Sequence, residues 1–173
     1  MAYTVIRTDL MSGTTQPADL VSLRFYDGSD EQAEVENGVI VKLQGYEDGE
    51  REVMKAVAAA STDDLNDCAI VAGVEVMYDE RKKNLDEFIN EAGSIVRGYI
   101  PRSRNIFSVT KEGFVGGVVP EKGDEVGIGA GGKIDAAGTG LGVCADVEVA
   151  GRYTYYAIRI GKTETSAAAG VGG

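Results

Sequence analysis

The chain has 173 residues, a net charge of −11, and neither histidine nor tryptophan. A surface that acidic repels nucleic acid and anionic lipid. The missing imidazole removes the commonest general base, the commonest metal ligand and the usual partner of a serine or cysteine nucleophile. A hydrophobic content of 43% still suffices for a real core, in one domain or two very small ones.

Residues 1–19 open with a short extended piece, AYTVIR, and continue as the polar, turn-forming MSGTTQP. An N-terminal arm that adds as a strand to a partner's sheet has this pattern, and so does a segment that pairs within its own domain. LVSLRFY (20–26) and NGVIVKLQGY (37–46) are β-branched and aromatic runs bounded by glycine, aspartate and asparagine, and both read as strands. Between Asp27 and Asp67 stand twelve acids, opposed only by Lys42, Arg51 and Lys55, which reads as a solvated face. REVMKAVAAA fits a strand or a helical turn. CAIVAGVEVMY (68–78) is almost wholly apolar and predicts a central strand.

DERKKNLDEFINEAG (79–93) is the best helix candidate, near 81–91, with Leu85, Phe88 and Ile89 as a thin apolar stripe and Gly93 as its stop. SIVRGYI, NIFSVT and FVGGVVP then read as short strands. GVCADVEV followed by RYTYYAIRI predicts a hairpin: Val143, Ala145, Val147 and Val149 alternate against Cys144, Asp146 and Glu148, and Tyr156, Ile158 and Ile160 share one face of the second strand. The expected organisation is an N-terminal arm (1–19), a β-rich domain (20–161, with a possible subdivision near 93–113) and a flexible tail (162–173). The fold class is mainly β: a small β-barrel or β-sandwich-like domain of short strands with one short helix.

GIGAGG (127–132) matches the letter of a dinucleotide fingerprint, but KIDAAGTGLGV follows it, with three more glycines and no helical stripe. The helix that would hold a phosphate is missing, so the run reads as a turn in a hairpin. DGSDE and EDGE lack the alternating ligands of a calcium loop. No catalytic residue, cofactor-binding residue or metal ligand is expected, and a weak cation site among the acids stays open. Cys68 and Cys144 lie in apolar runs and are expected free and buried. With no signal peptide and no long apolar run, the protein is expected to be made in the cytoplasm, with neither nucleic acid nor membrane as partner.

The stretches YTVIRTDLMSGTTQPADLVSL, ENGVIVKL, MYDERKKNLDEF with RGYI after it, and GDEVGIG…GLGVCADVEVAGRYTYYAIRI together resemble small accessory structural proteins of tailed phages of Gram-positive hosts. The last third, where the turn Gly123-Asp124 leads into short strands and a hairpin, is similar to phage head decoration proteins more broadly. The resemblance implies a virion structural protein on the capsid exterior, bound to the major capsid protein as a homo-oligomer. The long acidic segment 27–67 departs from the smallest such proteins. A tail, neck or head-fibre component is the alternative, and a ligand-binding β-barrel a further one. The candidate partner-binding residues are Tyr3, Val5 and Ile6 of the arm, and Arg97, Arg102 and Arg104 of the relatively basic stretch 79–104.

Overall fold

The computed structural model describes residues 2–7, 19–78 and 84–161. Among these residues ten strands form two sheets. The first is a closed barrel of β1 (Leu20–Phe25), β2 (Ile40–Tyr46), β3 (Val53–Ala58), β4 (Cys68–Val71) and β5 (Val96–Tyr99), in the order β1-β3-β2-β4-β5. All neighbours are antiparallel except β1 and β3, which run parallel. The second sheet holds β6 (Ile106–Val109), β7 (Glu125–Ile128), β8 (Ile134–Asp135), β9 (Gly140–Ala150) and β10 (Tyr153–Ile160), in the order β6-β10-β9-β7-β8. The mainly β fold that the short strands predict is therefore present, and it includes a barrel.

Side-chain alternation distributes β2 and β4 between two cores. Val41, Ala69 and Val71 point into the barrel with Leu23, Ala56 and Val96. Ile40, Cys68 and Ile70 point the other way, onto Phe107, Phe114, Leu141, Ile158 and Ile160 of the second sheet. A strand buried on both faces must be a continuous apolar run, which is why CAIV shows no polar alternation and all four of its residues are buried.

The glycine run closes the β7–β8 hairpin. Gly131 and Gly132 take left-handed φ of 67° and 72° inside a single 3-10 turn, Ala130–Gly132. A Cβ on Gly132 would run into the carbonyl oxygen of Ile40, so glycine here lets the second sheet rest directly on the backbone of β2. Lys133, next in the chain, reinforces that contact by donating to Glu36 Oε1 at 3.1 Å and to the Glu112 carbonyl at 3.0 Å.

Three expectations change. β4 ends at Val71 rather than Tyr78. In place of the helix over 79–93 there is one 3-10 turn, Leu85–Glu87; residues 79–83 lie outside the described residues, and Asn90 is extended because it exchanges backbone hydrogen bonds with Val35 at 3.1 Å each way. FVGGVVP is a 3-10 turn, Val115–Gly117, with Gly116 and Gly117 at left-handed φ of 63° and 70°. The predicted hairpin forms, and Leu141–Cys144 of β9 are buried on both faces. A bulge, where Asp146 pairs with Ala157 and Cys144 with Ile158, shifts the phase, leaving Cys144 fully buried and Val149 78% exposed.

Candidate interaction site

In the barrel, β4 and β5 pair Ile70 with Tyr99 and Val71 with Gly98, and the Ala72 amide still donates to the Arg97 carbonyl at 2.9 Å. The same register would place Val74 opposite Ile95. The ladder stops instead at Gly73, whose polar groups are captured by a side chain. The Gly73 amide donates to Asn37 Oδ1 at 2.8 Å, and Asn37 Nδ2 donates to the Gly73 carbonyl at 3.1 Å. Asn90 completes the wedge, its Nδ2 donating to Asn37 Oδ1 at 3.0 Å and to the Val35 carbonyl at 2.9 Å. Both asparagines are buried, and among the described residues no buried side-chain polar atom lacks a partner. A Cβ on Gly73 would strike Asn90 Oδ1, so a larger residue there displaces the wedge.

Past this wedge the two segments separate, and a cleft of about 680 Å³ opens between 73–78 and 87–97. Residues 74–78 form no strand; the Val76 amide donates to the Val74 carbonyl at 2.8 Å across a γ-turn at Glu75. Their alternation is inverted relative to a normal sheet. Val74 (67%), Val76 (52%) and Tyr78 (94%) face outward, joined across the cleft by Ile95 (53%), while Glu75 and Met77 are half-buried. Glu75 lies 3.5 Å from Asn37 Nδ2, and burial pushes its carboxyl above the usual carboxylate range. A cluster of exposed apolar side chains beside a cleft is the form of an interaction surface.

The structure separates the six residues singled out from the sequence. Tyr3, Val5 and Ile6 are not on a free arm. Ile6 bridges Val109 on the outer edge of β6, Thr110 donates its amide to the Val5 carbonyl at 3.0 Å, Arg7 donates to Ser108 at 3.0 Å, and Tyr3 donates to Asp86 at 2.9 Å. Val5 and Ile6 are buried, so the reading in which this segment pairs within its own domain describes the fold. The reason is the edge of β6: its free amides and carbonyls need a partner, and the nearest apolar strand is the chain's own. Glu36 fastens the same segment, accepting from the Thr4 amide at 3.0 Å and from Thr4 Oγ1 at 2.9 Å. Residues 8–18, the remainder of the expected arm, lie outside the described residues, as does the expected tail 162–173.

Arg97, Arg102 and Arg104 are all exposed. Arg97 lies on β5 at the wall of the cleft. Arg102 donates from Nε to Asp19 Oδ1 at 2.8 Å and stays half exposed. Arg104 sits in the β5–β6 connection at a left-handed φ of 76°, its amide donating to the Ile160 carbonyl.

The sequence missed the cleft. VEVMY reads as the continuation of a buried strand, and its only dissonant signal is Glu75 in an otherwise apolar run. The acids that the composition offered do not assemble: among the described residues no three of them gather as a metal site, and no helix is long and apolar enough to cross a membrane. Cys68 and Cys144 are free and buried. No protein-family model, no curated protein and no solved structure matches this chain.

Proposed function

We propose that this chain is a virion structural protein that decorates and stabilises a phage capsid from outside by binding the major capsid protein, as a homo-oligomer and without catalysing a reaction. The observation that carries the reading is the disposition of Arg97, Arg102 and Arg104. Three guanidiniums lie exposed within eight residues of a chain whose net charge is −11. Arginine on an exposed, well-anchored segment is suited to pairing with carboxylates of a partner, and a rim of such charges steers docking. The sequence resemblance supplies the identity of that partner. Residues 2–7 serve the chain's own sheet, so the contact is assigned to the β5–β6 region.

Reversing the three arginines together to glutamate tests it. Wild-type protein is expected to co-sediment with expanded capsid shells, and the triple variant to lose most of its occupancy while its thermal unfolding midpoint moves by no more than a few degrees. Unchanged occupancy discards the assignment. Absence of wild-type binding to shells, with labelling found on the tail or neck of virions, selects the other structural role. A ligand-binding reading rests on the cleft, whose volume falls within the range of small-molecule sites. A thermal-shift screen against nucleotides and sugars decides it.

A further inference from the structure

We infer that the outer edge of β9, over residues 146–150, is a strand-addition site for an extended cationic segment of a partner protein, one in which lysine or arginine alternates with apolar residues. The inference goes beyond the capsid reading and does not depend on it.

The edge is a product of unequal strand lengths. β9 has eleven residues and its neighbour β7 only four. Pairing with β7 covers 140–143, and the contact closes where the Cys144 amide donates to the Asp124 carbonyl at 2.9 Å and the Gly123 amide to the Cys144 carbonyl at 2.8 Å. Beyond the bulge at Ala145, β9 pairs with β10 on one side and with no described strand on the other. The turn at Gly151-Arg152 has two residues, so Ala150 and Tyr153, which close it, are a hydrogen-bonded pair. Such pairs alternate along an antiparallel ladder. Val147 and Val149 therefore point their N–H and C=O groups away from β10, into the open. Lys122 and then the Val147 amide hold the Asp146 carboxyl below its usual range, as an outward-facing amide would. The projecting end is anchored as well: Tyr153 donates from its hydroxyl to Asp86 Oδ1 at 3.0 Å, and Arg152 donates to Asp86 Oδ2 at 3.1 Å and to Asn84 Oδ1 at 2.6 Å. An edge fixed in strand geometry before binding loses little entropy when a further strand joins it.

Charge selects the occupant. Val147 and Val149 stand exposed on one face of the edge, Asp146 and Glu148 on the other. Glu121, Asp124 and Glu125 lie where β7 gives out, and Lys122, already paired with Asp146 at 2.9 Å, is the cation among them. A second copy in antiparallel register about Val147 sets Asp146 against Glu148, and about Glu148 sets that carboxylate against its own copy; like charges directly opposite destabilise a sheet. The same acids that bar self-pairing favour a strand whose charged face is basic and whose other face is apolar.

The experiment titrates the full chain with an end-blocked heptapeptide of alternating valine and lysine. Saturable one-to-one binding is expected, weaker as salt rises. A block peptide of the same composition, and the alternating peptide with its outward amides N-methylated, keep the charge and are expected to bind at least tenfold more weakly; equal binding by either would mean charge attraction without strand addition, and overturns the inference. Val149→Pro removes an amide that bonds nothing in the fold, so its thermal midpoint is expected to stay within a few degrees while affinity falls at least tenfold. A Val149→Pro chain that fails to fold contradicts that geometry and overturns the inference, as does undiminished binding. Glu148→Lys leaves the backbone untouched and is expected to weaken binding at least threefold. Hydrogen exchange reads the edge directly: the Val149 amide should exchange fast in the free protein and slowly with the alternating peptide. Protection already present without peptide would mean that this chain or a second copy covers the edge, and no binding at all would mean that it takes no such strand; either result sinks the proposal. The triple reversal of Arg97, Arg102 and Arg104 is expected to leave peptide binding intact, so its loss of capsid occupancy bears on the functional reading alone.

Discussion

Residues 68–71 and 74–78 belong to one apolar run, CAIVAGVEVMY, yet they meet opposite fates. The first four are buried on both faces, between the interior of the barrel and the second sheet. The last five turn two valines and a tyrosine to solvent. What separates them is Gly73, where the side chain of Asn37 replaces the neighbouring strand as hydrogen-bond partner. Hydrophobicity along a strand thus records that a surface will be covered. It does not record whether the cover comes from the same chain.

The comparison breaks most readily on its buried side. Ile70→Ala empties a site that is 2% exposed at the junction of barrel and sheet, and should cost about 2–5 kcal/mol of unfolding free energy in urea titrations. A loss below 1 kcal/mol would mean that β4 is not the shared wall of the two cores. Asn37→Ala should cost less, about 2–3 kcal/mol, by leaving the Gly73 amide and carbonyl without their partner. Its distinguishing mark is hydrogen exchange: the Gly73 amide should exchange much faster in the variant, while amides of the β2–β3 ladder speed up only in proportion to the loss of global stability.

A smaller effect follows from Cys68, which faces the second sheet. Burial, reinforced by Asp63 and Asp67, pushes its thiol up to about 11. An unfolded cysteine titrates near 8.5–9, so as pH rises the unfolded chain loses its proton first. The stability held in the protonated thiol is complete below about pH 9 and is lost between pH 9 and about 11. Relative to Cys68→Ala, wild-type protein should show a steeper fall in melting temperature across that window, by at most one proton's slope; parallel curves would deny the burial. On the exposed side the expectation is nearly nothing. Val74→Ser, measured in dilute low-salt protein, should move stability by no more than about 0.5 kcal/mol, and a larger loss would show that residues 74–78 already pack within the monomer.

Most strands were legible because their signals are local. β-branched runs bounded by glycine, asparagine and aspartate mark β1, β2, β5 and β6, and the 140–160 hairpin carries its turn at Gly151 with a left-handed φ of 64°. The GIGAGG run was legible as a turn for the same reason: no helix follows it. In the described part of the expected helix, 84–93, the stripe of Leu85, Phe88 and Ile89 is short, and pairing of Asn90 with Val35, 55 residues earlier, outweighs a weak local preference. In the candidate site, the exposed arginines could be listed from sequence, but the wedge could not, because Asn37, Gly73 and Asn90 are distant in the chain and each is unremarkable alone.

By itself the sequence determined composition-level properties: an acidic chain without histidine, a β-rich fold, and two cysteines placed in apolar runs. These follow from side-chain chemistry and from a two-residue period, which need no knowledge of neighbours. Only the tertiary structure decided that the strands divide into a closed barrel and a second sheet, that Tyr3, Val5 and Ile6 complete the edge of β6, and that VEVMY stands open. Each of those outcomes is a choice of partner for a strand edge or an apolar face. Such choices are made by contacts between residues far apart in sequence, where local pattern carries no information.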